Sequence, residues 1–414
     1  MAQRRRQRPL VLVATLIMGG VVAACADSST ATLPPQSSAV TASSDAVKFW
    51  EAGASVEWNT VLRDLIAGKP AASKPNQQAM LRAFTYLSLA QYDAIIAAED
   101  GKDGAMHRSA RGAVGGVSVV VLGYLFPSDV TTLESALQAQ RTGTRYPGET
   151  RADFAAGEAI GRAIGAAVVA SANTDRFTAP WTGTVPIGPG LWFSSAVPAA
   201  PPLLPLLGQM RPFFMASGNQ FRPGPPPAFG SPEFLAALAE VRNFSDTRTP
   251  EQLAIAQYWA GTTGALVAGF WNGQIADLVI SHRLDERRAA HAFALVNMAA
   301  LDANIACHDA KYTYWLIRPS QADPAITRPI GLPNHPSYPS NHACVSGTVA
   351  YVLGSLFPDQ AARLAAMADE AAESRLYAGI HYRFDKDAGL RIARQVADLA
   401  LASDVREHAA FTLR

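Results

Sequence analysis

The sequence predicts an all-α fold, and three observations predict it. Ala-rich stretches with apolar residues at three- and four-residue spacing recur along the chain, the pattern of a helix with one buried face. Strand-like alternation is almost absent. Two distant stretches also resemble each other: Val121-Leu122-Gly123-Tyr124-Leu125-Phe126-Pro127 and Val352-Leu353-Gly354-Ser355-Leu356-Phe357-Pro358, 231 positions apart. Asp93-Ala94-Ile95-Ile96-Ala97 parallels Asp302-Ala303-Asn304-Ile305-Ala306 ahead of them, and Gly157, Ile160 and Ile164 parallel Gly389, Ile392 and Val396 behind. Such self-similarity reads as a diverged internal duplication that gives two helical bundles.

Taken in order, the chain opens with Arg4, Arg5, Arg6 and Arg8 ahead of an apolar run over 10–22, the layout of a secretory signal peptide. Val22-Ala23-Ala24-Cys25 resembles a bacterial lipobox, in which cleavage over residues 1–25 leaves Cys25 as a lipidated N-terminus. An ordinary signal peptide cleaved nearby is the alternative. The Ser/Thr/Ala-rich segment that follows, within 26–45, suits a flexible tether. The expectation is an exported protein, anchored to a membrane and facing the periplasm or the cell surface.

A first bundle is expected over 46–177, with helices at 77–98 and 151–172. Residues 178–232 form a connection rich in Pro and Gly but also in aromatics (Trp181, Trp192, Phe193, Phe213, Phe214, Phe221). Disordered segments are poor in aromatics, and long structureless loops in compact domains are usually functional, so this segment is expected to pack over the bundles and wall a site. The second bundle covers 233–414, with helices at 249–265, 271–279, 286–306, 346–356 and 385–402. Thr249-Pro250-Glu251 is a helix start: an N-cap Thr, Pro at the first position and an acidic first turn. The apolar runs 113–126 and 344–357 are each fourteen residues. That is short of the ~20 needed to span a bilayer, so both are read as central helices.

With 49% hydrophobic residues the chain can build a large core, and at a net charge of +1 with no basic stripe beyond the first eight residues it excludes nucleic acid as a partner. Cys307 and Cys344 are expected to pack as small buried residues rather than as a disulfide.

Three blocks in the second bundle carry chemistry. Lys311-x6-Arg318-Pro319 places two cations seven residues apart, on one face of a helix that Pro319 would end. Pro339-Ser340-Asn341-His342 lies in a Pro-punctuated loop leading into a helix near Cys344, where free N–H groups and a positive dipole end favour an anion. Ser374-Arg375-x5-His381-x3-Asp385 adds a guanidinium and an imidazole, with Asp385 spaced to hold one ring nitrogen of His381. Each block alone fits ordinary surface cations or a core histidine. Together they supply what a tetrahedral oxyanion needs: charge-assisted donors, one imidazole to bond the central atom and another to move a proton.

The blocks resemble the signature of the type-2 phosphatidic acid phosphatase / vanadium-dependent haloperoxidase superfamily, closely over the C-terminal third and elsewhere in general plan. The integral-membrane lipid phosphatases of that superfamily carry the blocks between spanning helices; this chain looks like its soluble bacterial haloperoxidase-like branch. The resemblance implies that His381 is the covalent partner, either the ligand of vanadate or a nucleophile forming phosphohistidine. Lys311, Arg318, Arg375 and Ser340 would bind the oxyanion with the backbone N–H of Asn341. His342 would be the acid/base, Asp385 the orienter of His381, and His335 a candidate halide contact or supporting residue. Asn341 departs from the family, which usually has Gly there. Two enzymatic readings follow: a haloperoxidase using vanadate, hydrogen peroxide and halide, with Lys311 polarising the peroxide, or a phosphatase using no vanadate and taking phosphomonoesters. The segment His335-Pro336-Ser337-Tyr338-Pro339-Ser340 is similar to that of algal bromoperoxidases, which favours the first. A lipoprotein that binds oxyanion without turnover is the third reading.

Overall fold

Side-chain caps set where many of the helices begin. The computed structural model describes residues 53–100, 108–143, 148–261, 267–404 and 411, all within a unit spanning Ala42–Arg414. The signal segment, Cys25 and the tether lie outside the described residues. Among those described, the first helices are α1 (Ala54–Gly68), α2 (Gln77–Asp100), α3 (Ala110–Leu125), α4 (Val130–Thr142) and α5 (Arg151–Ala172). After the connection come α6 (Pro232–Thr247), α7 (Pro250–Tyr258), α8 (Val267–Ser281), α9 (Glu286–Tyr314) and the short α10 (Pro319–Ala322). The last three are α11 (Asn341–Leu356), α12 (Ala361–Tyr377) and α13 (Arg383–Ala402). Ser109, Thr150, Ser231, Thr249 and Asp285 each accept an N–H three residues on, opening α3, α5, α6, α7 and α9. Among the described residues strand-type pairing is limited to one isolated bridge, Leu191 with Leu316. The fold is all-α.

α9 is the central element. Its apolar stretch is wholly buried inside the protein, packed by α2, α11 and α13, as expected of a helix apolar on all sides. One hydrophobic core runs from Trp58 and Phe84 through Leu295 and Leu353 to Val396.

The element order from α2 to α5 recurs from α9 to α13, α10 aside. α3 closes at Phe126 (φ −132°, ψ 67°) and α11 at Phe357 (φ −129°, ψ 74°), each followed by a Pro-led 3-10 turn. Gly157 of α5 lies against the carbonyl of Ser109, and Gly389 of α13 against that of Ser340; a methyl group would meet those oxygens at 2.1 and 2.8 Å. Each glycine lets two helices approach to backbone contact. These parallels support reading the two runs as copies of one unit.

Besides the short α10, four helices escape the sequence reading. In α12, alanines carry much of the buried face (Ala368, Ala371, Ala372), so its stripe has little contrast; α6 buries only Phe234 and Val241. α1 and α4 are amphipathic helices that bury only four and two apolar side chains respectively. α7 stops at Tyr258 instead of 265, α9 runs on two turns past 306, and α11 begins at Asn341 rather than near Cys344.

α9 also anchors the connection. Fully buried Asp302 accepts the N–H groups of Phe213, Phe214 and Met215 at 2.8, 2.8 and 3.0 Å. Asp302→Ala should therefore leave three donors without this partner and cost on the order of 3 kcal/mol. The checks are a denaturant midpoint and the rate of protease cleavage within 205–225; a stability within about 0.5 kcal/mol of wild type would contradict this anchoring role.

Candidate active site

Lys311 sits in the last turn of α9, but the helix does not continue to Arg318. Trp315 is left-handed (φ 51°) and reverses the chain there. Its carbonyl accepts the N–H of Trp192 at 2.7 Å, and its ring packs on Tyr312 and Trp192. The chain then runs along the connection, with the Ile317 N–H donating to Gly190 at 2.9 Å, and Arg318 opens α10 with Pro319 at its first position. The expectation of a shared helix face ended by Pro319 is thus corrected. The aromatic cluster, absent from the helical pattern, forces the turn, and the reversal brings Arg318 back into the interior.

Arg318 is fully buried. Its Nε donates to the His335 carbonyl (3.0 Å), Nη1 to the Ile380 carbonyl (2.8 Å) and to His381 Nε2 (3.0 Å), and Nη2 to His335 Nδ1 (3.0 Å). A guanidinium only donates, so His381 Nε2 carries a lone pair and its proton is on Nδ1. That proton meets Asp385 Oδ2 at 2.8 Å. The same oxygen accepts from Ser337 Oγ (2.5 Å) and the Tyr382 N–H (3.1 Å), and the Asp385 carbonyl accepts the Ser340 N–H at 3.0 Å.

Lys311, also fully buried, donates to the carbonyls of Pro336 (3.0 Å), Ser337 (2.7 Å) and Pro339. All three of its protons are engaged, so direct donation to an anion would require one of these bonds to break. The Ser340 hydroxyl is buried with no partner among the described residues, and the start of α11 has no side-chain cap. Ser109, the counterpart of Ser340 in the first run, does cap, accepting the Gly112 N–H at 3.0 Å. Asn341 is the first residue of α11 and its φ is not positive, so this backbone does not require glycine. Its Oδ1 accepts from Cys307 Sγ at 2.8 Å; Cys307 and Cys344 are free and buried.

His342 Nε2 donates to the carbonyl of Trp259 at 2.8 Å, which places the ring's lone pair on Nδ1. Trp259 is itself held by Glu370 (2.9 Å). Arg375 ends α12 with Nε on Ser374 Oγ and Nη2 on the Ala256 carbonyl, both at 2.8 Å. Gly379 (φ 72°) turns the chain between Arg375 and His381.

A cavity of about 360 Å³ is lined by His335, Asn341, His342, Arg375 and His381; Lys311, Arg318 and Ser340 lie behind its wall. Leu203 of the connection lines it, as do Asn76, Gln77 and Gln78 at the start of α2. The first run therefore reaches the site. The sequence reading also missed buried His308, whose ring lies 5.7 Å from that of His335, and the Trp259 carbonyl, which has no signature in a sequence.

Among the described residues no carboxylate pairs with Lys311, Arg318 or Arg375; the carboxylate at the site, Asp385, accepts from the His381 ring. Burial pushes Lys311 down to about 8, Arg318 to about 10 and Arg375 to about 9. Burial raises Asp385 to about 6, and with the neighbouring cations it holds His335, His342 and His381 well below the usual imidazole range. At neutral pH three buried cations face one carboxylate and neutral imidazoles. Such a site suits an anion. Among the described residues no group of three or more His, Cys, Asp or Glu is placed to hold a metal cation.

Residues 291–405 match the model of the PAP2 superfamily. This part of the chain belongs to that superfamily. A search of curated proteins finds no match. Among solved structures, the PAP2 region and the helices before it are similar to the first bacterial vanadium-dependent iodoperoxidase (TM-score 0.72, 23% identity, 84% of this chain and 95% of that one). The apo form of a bacterial vanadium-dependent chloroperoxidase aligns with TM-score 0.66 at 14% identity over 79% of this chain and 94% of its own. A holo form aligns with TM-score 0.64 at 15% identity over 83% and 96%. At these identities the likeness establishes a shared fold across both runs.

The depressed Lys311 gives a test. Its folded value lies below the ordinary 10.5, so the cost of charging it is full below pH about 8 and fades above. An anion offsets that cost only where Lys311 is charged. Sulfate, whose own charge is constant over this range, should bind about tenfold more tightly at pH 7 than at pH 9, a difference near 1.4 kcal/mol. Thermal shifts against chloride at matched ionic strength check this; equal stabilisation at both pH values would refute it.

Proposed function

We propose that this protein is a vanadium-dependent haloperoxidase-like enzyme that oxidises halide with hydrogen peroxide. The observation that supports it most is the unbalanced buried positive charge gathered around the lone pair of His381 Nε2. The orphaned Ser340 hydroxyl and the uncapped start of α11 fit the same anion. His381 would hold vanadate at Nε2. Arg318 and Arg375 would donate to its oxygens with Ser340 and the Asn341 N–H, and Lys311 would add charge from behind the Pro336–Pro339 carbonyls. Bound vanadate supplies the Lewis-acid centre at which peroxide becomes reactive toward halide. Asp385 keeps the His381 proton on Nδ1, so that Nε2 keeps its lone pair, which the Arg318 Nη1 donor would have to release to the anion. His342, held by the Trp259 carbonyl, offers Nδ1 to receive a proton, and His335 Nε2 stands at the cavity wall as a donor.

The choice of chemistry leans on the relatives of like fold, which are haloperoxidases. The PAP2 match over 291–405 favours a second reading, a phosphatase in which His381 Nε2 attacks phosphorus as the bond to the leaving oxygen breaks, with His342 acting as the acid once its Nδ1 has taken up a proton on binding of the anionic substrate. One titration separates them. Vanadate added to apo-protein should raise bromide oxidation from near zero, with phosphate competing. In the phosphatase reading vanadate imitates the transition state and should inhibit p-nitrophenyl phosphate hydrolysis. The haloperoxidase reading fails if vanadate-loaded protein shows no peroxide-dependent halide oxidation while vanadate-free protein turns over phosphomonoester. His381→Ala should abolish either activity with helical content intact.

Cys25 is proposed as the lipidated residue of an exported, membrane-anchored protein, supported by the Arg-led apolar segment and the Val22-Ala23-Ala24-Cys25 pattern. Cys25→Ser should block processing or release the protein from the membrane fraction. Unchanged membrane association together with an unmodified N-terminus would overturn this.

A further inference from the structure

Beside His342 a second, smaller chamber of about 20 Å³ opens, sharing Gln77, Gln78, Asn341 and His342 with the larger cavity. That is room for about one water-sized molecule. Its polar lining is His342 and four carboxamides, Gln77, Gln78, Asn304 and Asn341, of which Gln78 and Asn304 are buried. Gln78 of α2 is only 5% exposed, lines both cavities, and makes no side-chain hydrogen bond among the described residues. Asn304 of α9 is 2% exposed, lines the chamber, and has a buried Nδ2 with no partner among the described residues. Leu81, Val267 and Val345 close the rest.

The chemistry of these groups defines the guest. Each carboxamide offers both a donor and an acceptor and carries no charge. A halide could accept from Asn304 Nδ2 but could not satisfy the Gln78 amide oxygen, and a larger organic molecule would not fit. A small neutral hydroxylic molecule, donating and accepting at once, satisfies both amides and fits the space. Its neighbour His342 has Nε2 committed to Trp259, which leaves Nδ1 as the ring's acceptor.

We infer that the Gln78–Asn304 chamber positions the hydroxylic co-substrate of the reaction, an H–O–X molecule, next to His342. Which molecule it is rests on the proposed function: hydrogen peroxide for halide oxidation, water for hydrolysis of a phosphorylated enzyme. Gln78 and Asn304 act as positioning residues, and Gln78 belongs to the run that carries none of the three blocks.

The test uses Gln78→Met and Asn304→Leu, which keep approximate size and remove hydrogen bonding, with Gln78→Asn as the conservative variant that keeps a neutral carboxamide. In vanadate-loaded protein, the KM for hydrogen peroxide should rise about tenfold in the Met and Leu variants. The KM for halide and the calorimetric affinity for vanadate should stay within twofold, and Gln78→Asn should lose less than half as much as Gln78→Met. If the wild type shows no halide oxidation, the proposed function fails but the inference is still judged. In vanadate-free protein the p-nitrophenol burst should then persist while steady-state turnover falls about tenfold. A crystal structure of the wild-type protein at a resolution that orders solvent should show one oxygen bridging Gln78 and Asn304, lost in Gln78→Met. This readout holds if neither activity is found or if Asn304→Leu does not fold. Peroxide KM and turnover within twofold of wild type in both variants, an equal loss in halide KM, or a chamber without a bridging oxygen would each overturn the inference.

Discussion

A single carboxylate organises the interior around the site. Asp385 receives the His381 ring, the Ser337 hydroxyl and the Tyr382 N–H on one oxygen, and its main-chain carbonyl receives the Ser340 N–H. The 337–340 loop and the entry to α13, about forty residues apart in sequence, are thereby fixed in register. Removing one partner from a buried charge of this kind is costly because the remaining donors are stranded. The tautomer of His381, the path of the Pro336–Pro339 loop and the entry to α11 all depend on this group.

The same interior is unbalanced by design of its charge. Three cations are buried with main-chain carbonyls as their principal partners, and carbonyls satisfy hydrogen bonds without cancelling charge. The empty protein therefore carries an electrostatic cost that a bound anion offsets. Stability and ligand affinity are two views of one quantity here.

Much of this was legible in the sequence because it lies in short local patterns. Asp385 follows His381 by one helical turn, and their bond needs only that spacing. Arg375 and His381 were separable because Gly379 lies between them. What was not legible came from long-range geometry. Trp315 breaks α9 through contacts with a segment more than a hundred residues earlier, so no window around Lys311 could reveal that Arg318 arrives on a reversed strand of chain. Gln78 and Asn304 look like ordinary polar residues on apolar helices until the fold places them against His342. The alanine-rich face of α12 hid the helix that carries Arg375, since a methyl group buries well but contrasts little with its surroundings.

The two serines at the heads of α3 and α11 carry a wider implication. Ser109 spends its hydroxyl on its own helix, as most such serines do, while Ser340 withholds it. A withheld cap of this kind costs about 1 kcal/mol of helix stability. On the reading of the two runs as copies, recognition in this fold required no new residue at that position, only the release of one from a structural duty its twin still performs. Under the proposed function, such a site would arise from the protein's own scaffolding by subtraction, with Ser109 showing the duty that Ser340 has left.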